Sequence, residues 1–288
     1  MSFVSNSNPK QLPILAYHKV DTIRELSFNC ISPKTFEKQI QFLAEYGYQS
    51  ISPELMAATV CGDGKFPEKP ILITFDDGYE NFYNYVYPIM KKYGYTATVF
   101  LLAGYIELMN FWDVKLGWRR FKHLTWPQIQ DLSKEGFCFG SHGVNHLFLT
   151  YQNDSTVKFE IQTSKSILET LLQKPIHFFA YPYGDYDFKT ASLVQESGYT
   201  AAFSLNPGKV IKTDSLYFLP RIAIYSCDTL WSFKAKLGLM GDVCFHFERK
   251  KNLIINKCAY VRSLSSLFHK PPNLLRRNKR REGKMARW

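Results

Sequence analysis

The stretch Ile71-Leu72-Ile73-Thr74-Phe75-Asp76-Asp77-Gly78 places a short apolar run directly before two carboxylates and a glycine. A short apolar run of this kind is typical of a buried strand. Two further apolar runs, residues 137–139 and 178–180, are likewise followed by polar clusters, at residues 141–146 and 181–184. This repeated pattern, a strand that ends in polar side chains, is the feature that decides the predicted fold.

Strand-like runs alternate with amphipathic helical stretches from residue 13 to about residue 240. Ser32-Pro33 and Ser52-Pro53 each open a predicted helix, with serine as the cap and proline at the first helical position. Asp154 is predicted to cap a longer helix. Six or seven strand–helix repeats predict parallel strands joined by crossovers, as in an α/β barrel. Since the carboxyl ends of barrel strands share one face, the three polar clusters are expected to meet there.

The composition is that of a folded protein: 288 residues, of which 45% are hydrophobic and 21% charged. The longest apolar runs are about ten residues, whereas a membrane helix needs roughly 18 or more. Residues 1–10 are polar and lack the apolar core of a signal peptide. We therefore expect no transmembrane segment and a cytoplasmic location, with an unrecognised export route left open. Six scattered cysteines without a C-x-x-C pair predict free, mostly buried thiols.

The net charge of +11 is unevenly distributed. Residues 270–288 hold eight basic residues and one acidic residue, so most of the excess belongs to a basic C-terminal tail. The body is therefore not a basic surface for a specific nucleic acid. The tail is compatible with a disordered, solvated segment, or with contacts to anionic surfaces through residues 276–287. The predicted organisation is an N-terminal extension (1–11), a main α/β domain (12–240) and a C-terminal extension with the tail (241–288).

Two of the polar clusters carry residues suited to metal chemistry. In Asp76-Asp77, one carboxylate could bind a cation while the other accepts a proton, although one aspartate could instead cap the following helix. His142 and His146 are four residues apart, a spacing that suits a divalent transition metal with a carboxylate as third ligand. The alternative is that either histidine is an ordinary core or surface residue.

Other candidate residues lie beside the predicted strands or in a long connection. His18 follows the first strand, and the usual pKa of histidine, about 6.5, suits a general acid; a bond to a local carbonyl is the alternative. Arg221 is either a surface charge or the partner that keeps a carboxylate ionised. The connection of residues 104–122 contains Trp112 and Trp118, which could stack on sugar faces or pack in the core.

Taken together, these motifs resemble the polysaccharide deacetylases of carbohydrate esterase family 4. Residues 74–78 resemble the family's first motif and residues 141–146 its second. Residues 179–184 resemble the third motif of the branch that acts on poly-N-acetylglucosamine. Residues 12–20 and 124–126 also resemble that branch, so that the likeness covers roughly residues 12–235.

The resemblance implies a distorted (β/α)7 barrel that hydrolyses N-acetyl groups, sometimes O-acetyl groups, on an acetylated amino-sugar polysaccharide or glycan. It implies a divalent metal, most often zinc, held by Asp77, His142 and His146. By position, the resemblance makes Asp76 the base, His18 the general acid and the Tyr183 backbone N–H the oxyanion contact. We predict that Tyr181 and Pro182 contact the substrate, together with Trp112 and Trp118 of the long connection.

The sequence departs from the family pattern at several points. Gly143 stands where the second motif usually has serine or threonine, so an orienting hydroxyl is absent. The common C-terminal Leu-x-His is missing, and Cys244-Phe245-His246 is the nearest string; in the poly-N-acetylglucosamine branch the acid position corresponds to His18. The usual arginine of the third motif is also absent, and we predict that Arg221 contacts Asp76 instead. The alternative function is a weak or inactive carbohydrate-binding protein that keeps the metal site.

Overall fold

The computed structural model describes residues 12–23, 28–110, 120–210 and 215–264, and it describes the side chains of these ranges except at residues 210 and 258–264. Trp112 and Trp118, two predicted substrate contacts, lie outside the described residues. The basic residues 276–287, predicted to contact anionic surfaces, lie outside them as well.

A parallel sheet forms the centre of the molecule. The strands, in chain order, are β1 (Leu12–Tyr17), β2 (Lys19–Val20), β3 (Cys30–Ile31), β4 (Gln49–Ser50), β5 (Pro70–Phe75), β6 (Thr98–Leu101), β7 (Cys138–Ser141), β8 (Phe178–Ala180), β9 (Ala201–Phe203), β10 (Lys209–Val210) and β11 (Ile222–Ala223). The order β1-β5-β6-β7-β8-β9 is parallel throughout. β4 extends it beside β5, β10 pairs antiparallel with β1, and β2 pairs with β3.

The segment that contains β11 joins the two edges of this curled sheet. Leu219 bridges to Phe203 of β9, and two residues of β11 pair in parallel with β1, Ile222 opposite Leu15 and Ala223 opposite Ala16. The result is the distorted (β/α)7 barrel that the family resemblance implied, with the parallel strands that the alternation predicted. Residues 219–224 are, however, mostly irregular rather than the full strand predicted, because they have to span the gap between two strands.

Helices cover the outside of the barrel. They are α1 (Pro33–Glu45), α2 (Pro53–Cys61), α3 (Tyr87–Tyr93), α4 (Trp126–Lys134), α5 (Asp154–Lys158), α6 (Ser164–Leu172), α7 (Phe188–Glu196), α8 (Leu230–Lys236) and α9 (Asp242–Leu264). A π-helical turn, Phe82–Val86, leads into α3, and another, Phe159–Thr163, joins α5 to α6. Single 3₁₀ turns are formed by Leu149–Tyr151 and Pro182–Gly184.

The predicted helix starts are largely correct. The hydroxyls of Ser32 and Ser52 accept bonds from backbone N–H groups in the first turns of α1 and α2. The cap of α5 is Asn153, whose side chain accepts from the Thr156 N–H, so Asp154 is the first helical residue rather than the predicted cap. Asparagine and aspartate are both good caps, and sequence alone does not choose between adjacent candidates.

Two buried apolar clusters lie on opposite faces of the sheet. The larger one packs β1, β5, β6, β7 and β8 against the surrounding helices, with Tyr17, Phe36 and Phe75 at its centre. The second is built from the alternate strand residues, including Phe100 and Phe178, and includes residues of α2. Since successive strand residues point to opposite faces, the even-numbered positions of β5 place the following Asp76 on the inner face of the barrel.

The C-terminal helix α9 packs on the barrel, although the sequence pattern predicted only a decay of the alternation after residue 240. It contacts α8 and β11. The Asn252 amide donates to the Ala223 carbonyl at 2.9 Å, and Lys251 donates to the buried Asp228 at 2.8 Å. Among the described residues, no helix combines the length and apolar character needed to cross a bilayer.

The described cysteines are free thiols, as expected: Cys30, Cys61, Cys138, Cys227 and Cys244. The prediction that they are mostly buried is wrong. Only Cys30 is buried, whereas Cys61 and Cys227 are exposed. Cys61 ends helix α2, and Cys227 lies in the loop between β11 and α8, where apolar packing does not cover the chain.

Candidate active site

Three predicted metal ligands converge at the carboxyl ends of the barrel strands. Asp77 follows β5, while His142 and His146 follow β7, and all three are buried. Each offers one ligand atom, and these atoms lie within 4.8 Å of one another. The parallel sheet therefore brings Asp77 together with two histidines that follow it by 65 and 69 positions in the sequence.

The geometry fits a small transition-metal ion. Asp77 Oδ1 lies 3.5 Å from His142 Nε2 and 3.4 Å from His146 Nε2. Four ligands at zinc-like bond lengths of about 2.0–2.2 Å in a tetrahedron are about 3.3–3.6 Å apart. One carboxylate and two imidazoles leave room for water or substrate in the open position of such a site. The donor set therefore suits a divalent metal with nitrogen and oxygen ligands.

The imidazoles are held in the form that binds metals. The ring Nδ1 of His142 bonds the Ala180 carbonyl at 2.7 Å, which fixes the ring and leaves Nε2 directed toward Asp77. Burial lowers the pKa of His142, although the nearby Asp76 charge acts in the opposite direction. Burial, together with the charges of His142 and His18, lowers the pKa of His146 well below the usual value. Both rings are therefore neutral near pH 7, as metal ligation requires.

Asp76 and Arg221 form a buried ion pair inside the barrel. Arg221 Nη1 and Nη2 donate to the two carboxylate oxygens at 2.7 and 2.8 Å, and both side chains are almost fully buried. Arg221 also donates to Thr74 and to the Ser204 carbonyl. Burial alone would raise the pKa of Asp76, but the charge and hydrogen bonds of Arg221 outweigh it and hold the pKa below the usual value. The contact predicted between Arg221 and Asp76 is confirmed.

His18 lies at the end of β1, next to this pair. The residue is partly exposed, but its Nδ1 is buried without a hydrogen-bond partner among the described residues. Burial lowers the pKa of His18 to about 4, and the charges of Arg221 and His142 act in the same direction, against that of Asp76. The ring is therefore neutral at pH 7 in the free protein. A general-acid role requires that it take up a proton during the reaction.

Glu160 holds the histidine-bearing loop and was not singled out from the sequence. Its buried carboxylate accepts from the Val144 and Asn145 N–H groups at 2.8 Å each, and from the Asn145 amide at 2.6 Å. A Cβ added to Gly143, whose φ is +83°, would lie 3.0 Å from Glu160 Oε2. The Glu160 carboxylate thus lies close to the place where a serine or threonine side chain at position 143 would begin. Glu160 follows the core position Val157 by three residues, so the helical period places it on the buried side of the helix. This spacing was the signal available in the sequence.

The third motif contributes one side chain to the site surroundings and two to the core. The Tyr183 ring lies 4.2 Å from that of His146 and stacks on Phe148 at 3.8 Å. Tyr181 and Pro182 are buried, and the Tyr181 hydroxyl donates to the Tyr217 carbonyl at 3.1 Å. The burial of the Tyr181 side chain is at odds with its predicted substrate contact, whereas the contact of Pro182, which lies beside Gly143, stays a prediction. Tyr181 takes the sheet face that packs against the helices.

Unusual backbone conformations are concentrated at this site. Asp77, His146 and Tyr183 have φ values of 71°, 57° and 59°, in the left-handed region that side chains other than glycine seldom adopt. Such conformations cost free energy and persist where the surroundings enforce them, often at functional sites. Two of these three residues are candidate metal ligands.

Comparison with known proteins agrees with the geometry. The sequence profile of the polysaccharide deacetylase family matches residues 63–202. This range includes the first two motifs and the third, and thus all three candidate metal ligands. Residues 63–202 therefore match a polysaccharide deacetylase domain, as the motifs predicted, and the similar proteins below are enzymes named as deacetylases.

Named relatives cover most of the chain. One relative is YxkH of Bacillus subtilis (strain 168), a protein named as a polysaccharide deacetylase. It is 29% identical over 223 residues, which cover 77% of this chain and 75% of the relative. The poly-beta-1,6-N-acetyl-D-glucosamine N-deacetylase of Staphylococcus aureus is 26% identical over 211 residues, 70% of each chain. The structure of Streptococcus pyogenes deacetylase PplD in complex with acetate is similar with a TM-score of 0.67 and 28% identity, covering 76% of this chain and 95% of that one.

Proposed function

We propose that the protein is a metal-dependent deacetylase that removes N-acetyl groups from N-acetylglucosamine residues of a polysaccharide or glycan. The observation that carries the proposal is the convergence of Asp77, His142 and His146 within 4.8 Å beside the Asp76–Arg221 pair. The similarity to the Staphylococcus aureus enzyme, 26% identical over 211 residues, supports the choice of substrate class.

Each of the converging residues has a distinct part in this chemistry. Asp77, His142 and His146 would hold a divalent ion, most often zinc in this family. When bound, the ion would polarise the acetyl carbonyl and acidify a water molecule. Asp76 remains a carboxylate because of Arg221, and it accepts the proton of the attacking water. Arg221 also holds both oxygens of Asp76, so that the base keeps one orientation.

The leaving amine has to receive a proton before the C–N bond breaks. His18 is assigned this role, but its pKa of about 4 leaves it neutral at pH 7. The proton that Asp76 accepts from water is available for transfer, and once His18 has taken it up, the restored charge of Asp76 stabilises the imidazolium. The sequence of transfers is then water to Asp76, Asp76 to His18, and His18 to the amine. The backbone N–H of Tyr183 is assigned to the oxyanion of the tetrahedral intermediate.

The catalytic domain is proposed to comprise residues 12–240, with residues 241–288 as an extension. Helix α9 of that extension packs on β11, the strand that follows Arg221. The extension therefore supports the barrel edge that carries the partner of the base.

Acetate release tests this function. Purified, zinc-supplemented protein is incubated with β-1,6-linked N-acetylglucosamine oligomers, with chitin oligomers and with an O-acetylated xylan. Wild type should release acetate from the amino-sugar substrates. Asp76→Asn should bind zinc as well as wild type does but lose at least about 10²-fold in kcat. The matched surface change Asp131→Asn should leave kcat unchanged. Release from the xylan alone, or an active Asp76→Asn variant, would contradict the proposal.

A further inference from the structure

Helix α9 (Asp242–Leu264) has one face fixed on the barrel by polar contacts. Glu248 and Asn252 are buried, and Asn252 donates to the Ala223 carbonyl at 2.9 Å. Lys251 bonds both Glu248, at 2.5 Å, and the buried Asp228, at 2.8 Å. This side of the helix is satisfied, and its orientation on the body is fixed.

The opposite face is apolar and open. Val243, Phe247 and Ile254 are 84%, 62% and 63% exposed, and their spacing of four and seven residues places them in one row along the helix. Leu239 and Met240, in the turn before the helix, are also exposed. Single exposed apolar residues are ordinary, but a row over successive turns marks an interaction surface.

Cations lie in and beside this row. Lys250 and Lys257 are exposed and seven residues apart, on the same side of the helix as the apolar row. Residues 242–288 contain 13 of the chain's 36 lysine and arginine residues and only three of its 25 acidic residues. The region therefore carries +10 of the net charge of +11.

We propose that this apolar and basic face of α9 docks on the surface of an anionic lipid bilayer. In that arrangement Val243, Phe247 and Ile254 enter the boundary between headgroups and acyl chains. Lys250 and Lys257 then reach the lipid phosphates with their flexible side chains. The helix lies in the plane of the surface, and the barrel remains on the aqueous side, fixed to the inner face of α9.

The combination of apolar and basic side chains on this face of α9 favours a lipid surface over a second copy of the chain or a nucleic acid. In a twofold contact between two copies, the lysines of one face would approach those of the other, and like charges oppose such pairing. A nucleic acid would satisfy the lysines, but its phosphate backbone gains little from exposed phenylalanine and isoleucine. An anionic bilayer takes up both kinds of side chain at the same depth.

Vesicle co-sedimentation of the full chain tests the proposal. The probes are vesicles of 70% phosphatidylcholine and 30% phosphatidylglycerol, and vesicles of phosphatidylcholine alone. Wild type should bind the anionic vesicles and not the neutral ones. Phe247→Ser with Ile254→Ser, which leaves every charge in place, should weaken binding by at least about tenfold. Lys250→Gln with Lys257→Gln should weaken it about fivefold for each cation removed.

Matched controls use comparable side chains elsewhere. Phe188→Ser changes a phenylalanine that is 82% exposed on α7, and Lys34→Gln with Lys38→Gln changes two exposed lysines of α1. Both variants should bind as wild type does. Circular dichroism melting and acetate release from soluble oligomers should be unchanged in every variant, which separates this proposal from the proposed function.

Several results would overturn the proposal. One is that wild type does not bind the anionic vesicles, or binds neutral ones equally well. Another is that the Phe247/Ile254 variant binds as wild type does, which would assign the attachment to residues outside this face. A third is that light scattering shows a wild-type dimer that the same variant converts to a monomer, which would make the face a contact between copies.

Discussion

Arg221 and Asp76, 145 residues apart in sequence, form a two-point ion pair inside the barrel, with N–O distances of 2.7 and 2.8 Å. Neither side chain is more than 1% exposed. A buried carboxylate needs a cation or several hydrogen-bond donors, because these replace the water that it loses. The pair therefore explains how the proposed base stays ionised although its side chain is almost fully buried.

Removal of Arg221 should destabilise the fold. Arg221→Met leaves Asp76 as an uncompensated buried charge, and the free energy of unfolding should fall by about 3–5 kcal/mol. Arg221→Lys keeps the charge but loses the two-point geometry, so its loss should be smaller. Urea unfolding monitored by circular dichroism provides the measurement. A Met variant within about 0.5 kcal/mol of wild type would show that the pair contributes little.

Glu160 should matter for the metal site although it does not touch the ion. Glu160→Ala leaves the Val144 and Asn145 N–H groups without their acceptor, which should loosen the loop between His142 and His146. Zinc affinity should drop about 10–100-fold. Glu160→Gln keeps the shape and part of the acceptor capacity, so it should retain more affinity. Competition with a zinc chelator measures both, and equal affinities in all three proteins would contradict this role.

Restoring the family's usual hydroxyl at position 143 should not improve the enzyme. Gly143 has a φ of +83°, and a Cβ there would lie 3.0 Å from Glu160 Oε2. Gly143→Ser should therefore lower the melting temperature and the zinc affinity, because serine is strained in this conformation. Gly198→Ser, at a surface glycine with φ of +77° and open space around its Cβ position, controls for the backbone cost alone. A more stable or more active Gly143→Ser variant would count against the placement of Glu160.

The metal-free protein should lose stability in acid through its buried histidines. The pKa of His18 is about 4 in the fold, against an ordinary value near 6.5, so the unfolded chain binds a proton over this interval and the fold does not. The free energy of unfolding should therefore fall as the pH drops from about 6.5 to about 4. His18 should account for up to about 3 kcal/mol of this loss and should contribute no further loss below that range. The lowered pKa values of His142 and His146 act in the same direction.

His18→Gln should reduce this pH dependence, whereas the exposed His246→Gln should leave it unchanged. Urea unfolding of chelator-treated protein at several values between pH 4 and 7 provides the comparison. An identical slope in the wild type and the His18→Gln variant would mean that His18 is not desolvated.

Much of the fold could be predicted from local signals. Apolar runs followed by Asp76-Asp77 and by His142, together with Ser-Pro helix starts, predict parallel strands with polar ends on one face. The irregular bridge around Ile222 could not be predicted, since the gap it spans exists only after the sheet has curled. Helix α9 was missed because its buried positions, including Asn252, are polar and break the apolar periodicity.

The site was predictable to a similar degree. The metal-ligand candidates have a recognisable spacing and a strand context. The contact between Arg221 and Asp76 followed from the need to replace an arginine that the third motif lacks. Glu160 was not found, since its spacing from Val157 indicates only that it is buried, and nothing local indicates that it accepts backbone N–H groups from a loop 15 residues away. The motif around Tyr181 predicts a substrate contact, whereas its place after β8 directs the side chain to the face that packs against the helices.

The central claim is that one divalent ion at Asp77, His142 and His146 is required for hydrolysis. The most direct measurement is acetate release from an N-acetylglucosamine oligomer by chelator-treated protein, repeated after stepwise addition of zinc, with metal content determined in the same samples. The account predicts loss of activity on treatment, recovery that saturates at one zinc per chain, and no recovery in His142→Ala. Full activity in protein that retains less than about a tenth of an ion per chain would contradict it.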